Sequence, residues 1–135
     1  AEQTAKKYNV NSLVLNPSFD AFGGGGLAST LKDMATFGSA LFEGGIFSDT
    51  NTINLMCAPA LGNKNEKFDY ALGLAITKVD DYTAYGHGGF WGTQLKYIPE
   101  LGLTVAVFVL ERDTWPVYNS LIEEIVKVIK KPSEN

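Results

Sequence analysis

The sequence has very few of the residues that build metal and redox sites. It contains one cysteine, Cys57, and one histidine, His87, among 135 residues. A single cysteine excludes an internal disulfide and a cysteine-based zinc site, and a single histidine argues against a histidine-rich metal site. We therefore expect no metal and no cofactor. Cys57 lies in an apolar run with Leu55 and Met56, so we interpret it as a small core hydrophobe.

The chain also lacks a basic cluster and a membrane-length apolar run. Its net charge is −4, from 11 basic and 15 acidic side chains. No concentrated Lys/Arg face is available for phosphates, so nucleic acid is not an expected partner. The apolar run from Leu103 to Leu110 has the length of a strand, so no membrane span is expected. No signal peptide is found in this chain, but a trimmed or excised chain would begin in the same way.

Hydrophobic periodicity predicts two helices in the first half of the chain. The longer one follows a glycine run at residues 23–26, has Thr30 as its N-cap and ends at Gly44-Gly45. The shorter one starts after residue 48 or 49 and is stopped by Pro59. The apolar face of the longer helix is expected to contain Leu27, Leu31, Met34, Phe37, Leu41 and Phe42.

From Phe68 the period changes to two, which predicts antiparallel strands. The first strand carries Tyr70, Leu72, Leu74 and Ile76 on one side and small residues on the other. After a turn at Asp80-Asp81, strands are expected over residues 82–86, 92–98 and 103–110. The last of these is apolar on both faces, so we expect it inside a sheet that is covered on both sides.

A final helix is expected to open at Asp113 or Thr114 and to close at Pro132. Its apolar stripe is expected to be Tyr118, Leu121, Ile122, Ile125 and Ile129. Helices, an antiparallel meander and a helix together predict one α+β domain over residues 1–135. Its expected parts are an irregular lead-in (1–22), helices (23–60), strands (68–111) and the C-terminal helix (113–131).

His87 is the first candidate for chemistry, because it lies between glycines in Gly86-His87-Gly88-Gly89 at the end of a strand. Glycines at such a place allow a ligand or another stretch of backbone to approach closely. A lone histidine is more often a surface or core residue without a catalytic role. The local pattern therefore leaves both interpretations open.

A wider pattern resembles the serine β-lactamase and penicillin-binding-protein-like family. The glycine turn and helix, the Tyr70-Ala71-Leu72-Gly73-Leu74 segment and the strands after Gly92 follow one another as in that family. His87-Gly88-Gly89 fits the third catalytic box, which is Lys-Thr-Gly in many β-lactamases and His-x-Gly in several related peptidases and esterases. The resemblance covers about residues 23–131. It implies the C-terminal part of the β-lactamase/transpeptidase-like fold, of class C type.

The resemblance also implies roles for individual residues. His87 would take the cation position of the third box and hydrogen-bond the nucleophile network or a substrate carboxylate, less strongly than an ammonium does. The backbone N–H of Phe90 would be the second oxyanion donor. Aromatic side chains beside the box could line the pocket, although they also pack. The candidates for contact with substrate are Gly88, Gly89, Tyr85 and Trp91.

Ser29-Thr30-Leu31-Lys32 is a literal Ser-x-x-Lys, the form of the family's nucleophile motif. We do not assign this role to Ser29, because it falls where the family has a capping Ser-Thr after its glycine turn. The second box, Tyr-x-Asn or Ser-x-Asn, occurs only as Ser133-Glu134-Asn135 in the tail. The part that carries the nucleophile is therefore expected to be missing from this chain.

Two functions from different classes remain open. The leading hypothesis is the C-terminal part of a bacterial serine hydrolase that acts on a β-lactam, a D-amino-acid peptide or a small ester and is inactive alone. Its expected partners are the missing N-terminal half and, through the open edge of the last strand, a second copy. The alternative is a non-catalytic domain that binds a peptide or partner chain at the His87 strand edge. The resemblance implies a periplasmic or extracellular location.

Overall fold

The computed structural model describes residues 27–60, 69–89, 92–109 and 115–130. These ranges contain three helices: α1 Leu31–Phe42, α2 Thr50–Cys57 and α3 Trp115–Lys130. They also contain five strands: β1 Asp69–Tyr70, β2 Ala75–Val79, β3 Tyr82–Gly88, β4 Thr93–Ile98 and β5 Leu103–Phe108. The strands form one antiparallel sheet in the order β1-β2-β3-β4-β5. The architecture is α+β, as the element order predicted.

Helices cover both faces of the sheet. On one face α1 packs on β4 and β5, and the Phe42 ring stacks on Tyr97 with centroids 4.6 Å apart. On the other face, α3 and the strands share the main hydrophobic core. This core consists of Val79, Ala84, Ile98, Val105, Val107, Tyr118, Ile122 and Val126. The prediction that the last strand is covered on both faces is confirmed.

The predicted start and end of α1 are confirmed, but its predicted apolar face is only partly correct: Leu41 is buried and Phe42 packs on Tyr97, whereas other predicted members are exposed. Thr30 is the N-cap, and its hydroxyl accepts a hydrogen bond from the Asp33 N–H at 3.1 Å. Leu27 lies before the helix and is almost fully exposed, and Phe37 is half exposed. The buried residues are Gly38 and Leu41. A Cβ at Gly38 would lie 2.6 Å from the Thr104 side chain, so the glycine side of α1 makes the closest approach to the sheet.

The predicted single strand that starts at Phe68 is wrong. Gly73 has a φ of +74°, which favours glycine, and the Ala71 N–H donates to the Leu74 carbonyl at 2.7 Å. The chain therefore turns back on itself after Tyr70, and Tyr70 pairs with Ala75 across the β1–β2 hairpin. The sequence alternation that suggested a single strand continues across this turn.

Two further predicted core assignments change. Along α3 the fully buried residues are Tyr118, Ile122 and Val126, whereas Leu121 and Ile129 are about half exposed. Cys57, at the end of α2, is half-buried and not part of the core, and its partial burial raises the pKa of its thiol. In the described ranges, no helix has both the length and the apolar character needed to cross a membrane.

Candidate functional site

His87 lies at the end of β3, where that strand extends beyond its neighbour β2. The last pair between β2 and β3 is Ala75 with Gly86. Within the described ranges, His87 and Gly88 pair only with β4, opposite Leu95 and Gln94. Among the described residues, the other edge of β3 is therefore open at His87 and Gly88, so an extended ligand could lie along it.

Hydrogen bonds hold the His87 ring through both of its nitrogens. Nδ1 lies 2.7 Å from the carbonyl oxygen of Gly88. Because a carbonyl only accepts, Nδ1 carries a proton, and Nε2 of the neutral ring is an acceptor. Nε2 is hydrogen-bonded to the hydroxyl of Tyr70. The two rings meet edge to face at 88°, with centroids 5.8 Å apart. An exposed side chain is thus given one defined orientation.

Tyr70 is the functional candidate that the sequence analysis missed. Within a single strand starting at Phe68, Tyr70 belonged to an apolar side with Leu72 and Leu74. The β1–β2 hairpin instead places Tyr70 beside Ala75, which pairs in turn with Gly86, the residue before His87. A turn assigned at Gly73 would have indicated this hairpin and therefore the position of Tyr70.

Two of the glycines around His87 are explained by the close approach of β4. A Cβ at Gly86 would lie 1.9 Å from the carbonyl oxygen of Leu95, and one at Gly89 would lie 2.1 Å from Oγ1 of Thr93. The Gly89 N–H also donates to the Thr93 carbonyl at 2.8 Å. These glycines admit another stretch of backbone, which was one of the two possibilities read from the sequence.

The remaining predicted site residues differ in how far the structure describes them. Tyr85 lies two residues before His87 on the same side of β3, and its ring packs 6.3 Å from that of Phe42. Burial is the main cause that raises the pKa of the Tyr85 hydroxyl. Phe90 and Trp91 lie outside the described residues, so their roles stay predictions. The structure brings together His87, Gly88 and Tyr70.

Ser29 is placed as the capping interpretation expects. It precedes the N-cap residue Thr30, and its hydroxyl donates to the Thr30 carbonyl at 3.2 Å. Because Ser29 lies outside the helix, helical spacing does not bring it onto one face with Lys32. This position supports leaving Ser29 out of the catalytic assignments.

A second polar group lies away from His87, on the face of the sheet that α3 covers. Lys96 is only 5% exposed, and its ammonium donates to Thr77 Oγ1 at 3.0 Å. Burial lowers the pKa of Lys96, and the negative charge of Glu123 opposes this shift. Gln94 is also buried, and its side-chain oxygen has no hydrogen-bond partner in the described part of the chain.

No other described feature suggests a ligand site close to His87. In the described ranges no group of three or more His, Cys, Asp or Glu side chains could hold a metal ion. A shallow depression of about 510 Å³ lies between α1 and β5 and does not include the His87 contacts. It is lined by Lys32, Ala35, Thr36, Ser39, Ala40 and Thr104.

Comparison with known proteins gives one match. A family model described as Beta-lactamase matches residues 1–125. No curated protein matches the chain, and no solved structure matches it. The matched range includes α1, α2, the whole sheet and most of α3.

Proposed function

The chain belongs to the beta-lactamase family, and we propose that it is the C-terminal part of a serine hydrolase of that family. Such enzymes acylate a serine, stabilise the tetrahedral oxyanion with two backbone N–H groups and hydrolyse the acyl-enzyme. In this proposal His87-Gly88-Gly89 is a His-x-Gly third box, and the nucleophile lies in a part of the protein upstream of this chain. The backbone N–H of Phe90 is the proposed second oxyanion donor.

The observation that carries this proposal is the position of His87. Its ring is exposed and held in one orientation, at the place where one edge of β3 has no further partner among the described strands. An extended acyl substrate can pair with such an edge while its reacting carbonyl stays next to the third box.

The proposed substrates are amides and esters: a β-lactam, a D-amino-acid peptide or a small ester. A neutral imidazole at the third box attracts a substrate carboxylate less strongly than a lysine ammonium does. We therefore place uncharged esters and amides ahead of β-lactams that carry a carboxylate.

The first experiment measures hydrolysis by this chain alone. Nitrocefin and p-nitrophenyl acetate are the substrates, and Ser29→Ala is the matched control. We expect no turnover above the control, because Ser29 precedes a helix cap and lacks a second box beside it. Turnover that disappears in Ser29→Ala would instead make Ser29 and Lys32 a true dyad.

The second experiment extends the coding sequence upstream. A Ser-x-x-Lys and a Tyr-x-Asn there support the hydrolase, and their absence supports the alternative of a non-catalytic binding domain. An export leader there would support the proposed periplasmic or extracellular location. In the full-length enzyme, we expect His87→Ala to lower kcat/KM by about ten- to a thousand-fold. Lys78→Ala, an exposed strand position, is the control. Unchanged activity in a folded His87→Ala protein would make His87 structural.

A further inference from the structure

We propose that Tyr70 is a positioning residue for His87, and that it keeps the imidazole in the tautomer with its proton on Nδ1. The catalytic consequence rests on the proposed function above. The tautomer itself does not, and it can be measured without any enzymatic activity.

The two contacts of the His87 ring contribute differently to its orientation. The Gly88 carbonyl belongs to the next residue in the chain, so this bond moves together with the histidine backbone. The Tyr70 hydroxyl comes from β1, two strands away in the sheet order. A flip of the imidazole would place ring carbons where both nitrogens now lie and would break both hydrogen bonds. The Tyr70 contact therefore fixes the ring relative to the sheet.

The β1–β2 hairpin holds Tyr70 in place for this contact. Tyr70 is paired with Ala75, and its carbonyl accepts a hydrogen bond from the Ala60 N–H at 2.8 Å. The Gly73 turn closes the hairpin over four residues. A residue that is anchored on both sides loses little further conformational entropy when its hydroxyl meets the imidazole.

This arrangement changes what the third box can offer a substrate. With Nδ1–H donating to Gly88 and Nε2 accepting from Tyr70, the neutral ring directs neither nitrogen as a donor towards a ligand. His87 thus belongs to a Tyr70–His87–Gly88 hydrogen-bond chain, in which it accepts from Tyr70 and donates to Gly88. In this role it is not a substitute for a lysine ammonium. Hydrogen bonds in such a chain strengthen one another.

In the full-length enzyme, a positioning residue should act only through His87. We expect Tyr70→Phe to lower kcat/KM by about two- to tenfold, the loss typical of one neutral hydrogen bond. The same change in a His87→Ala background should produce no further loss. Equal losses in both backgrounds would show that Tyr70 does not act through His87.

The decisive test uses the single histidine of this chain, which makes its imidazole signals unambiguous. The protein is labelled with ¹⁵N, and long-range ¹H–¹⁵N correlation spectra are recorded at a pH of about 9, where a free imidazole is neutral. We expect Nδ1 to resonate as a protonated nitrogen and Nε2 as an unprotonated one. Free histidine prefers the opposite tautomer, so this pattern does not arise by default.

Two variants complete the test. Tyr70→Phe should lose the wild-type pattern and shift towards the Nε2–H tautomer. Tyr97→Phe also loses one tyrosine hydroxyl near the same face, and it should keep the pattern. A wild-type ring with its proton on Nε2 would overturn the proposal, and so would a Tyr70→Phe spectrum identical to that of the wild type. If Tyr70→Phe does not fold, the wild-type protein provides the test. A slowly exchanging Tyr70 hydroxyl proton with a nuclear Overhauser contact to the His87 ring would support the proposal, and the absence of this signal would count against it.

Discussion

Replacing Lys96 by methionine tests how β4 tolerates a charged side chain under α3. The Lys96 side chain is almost completely buried, between neighbours of the hydrophobic core. Methionine has a similar length and shape but carries no charge. The exposed Lys78, whose ammonium donates to Thr83, provides a matched control in the variant Lys78→Met.

The expected change follows from two opposing effects. Replacing a buried ionic group by a hydrophobic one of similar size is often neutral or stabilising by about 1–4 kcal/mol. The lost hydrogen bond to Thr77 costs about 1.5–3 kcal/mol when the donor is charged. Because the pKa of Lys96 is lowered chiefly by burial, we give desolvation the larger weight. We expect Lys96→Met to raise the free energy of unfolding by about 1 kcal/mol, and Lys78→Met to leave it within about 0.5 kcal/mol.

Urea unfolding at several pH values measures this difference. The lowered pKa means that the unfolded chain binds more protons than the folded one between the folded pKa and the ordinary lysine value. Wild-type stability therefore rises with pH through that window, and the advantage of Lys96→Met should shrink. A loss of more than about 2 kcal/mol in Lys96→Met, with Lys78→Met unaffected, would refute the reasoning. It would mean that the ammonium is favourably paired.

The remaining predictions concern the core, the third box and the free sheet edge. Ile122→Ala should lower the free energy of unfolding by about 3 kcal/mol in urea titrations, because the side chain is fully buried; a loss below about 1 kcal/mol would contradict the packing. Gly86→Ala should cost more than about 2 kcal/mol, because its Cβ would meet the Leu95 carbonyl; normal stability would show that β4 can move. Light scattering over a concentration series should reveal self-association through β5, which pairs only with β4 among the described strands; a strictly monomeric folded chain would show that this edge is covered internally.

The order of the elements could be predicted because caps and turns are encoded by neighbouring residues. Thr30 and Asp49 are both N-caps in the structure, and Asp80 and Gly102 turn the chain with positive φ. The hidden turn at Gly73 could not be predicted by periodicity, because the alternation of Tyr70, Leu72, Leu74 and Ile76 continues across it in the sequence. In the structure Tyr70 pairs with Ala75, so Tyr70 and Ile76 lie on opposite faces of the sheet.

Which side of a helix is buried was harder to predict than the helix itself. Hydrophobicity selected Leu31 and Phe37, whereas the structure buries Gly38, because a side chain there would collide with Thr104. The helix can approach the sheet closely only where a side chain is missing. A hydrophobic pattern gives no weight to a missing side chain. The burial of Lys96 has a related cause: β4 has no solvent face, because α1 and α3 cover both sides of the sheet.

The candidate site combines a predictable residue with one that only the fold supplies. His87 could be found because glycines surround it, yet Gly86 and Gly89 are glycines to admit β4. The glycine pattern that singled out His87 therefore concerns packing at least as much as ligand access. The structure adds the contact of His87 with Tyr70, 17 positions earlier, across a hairpin that the periodicity concealed. The proposed functional assignment therefore depends on this pair more than on the glycines.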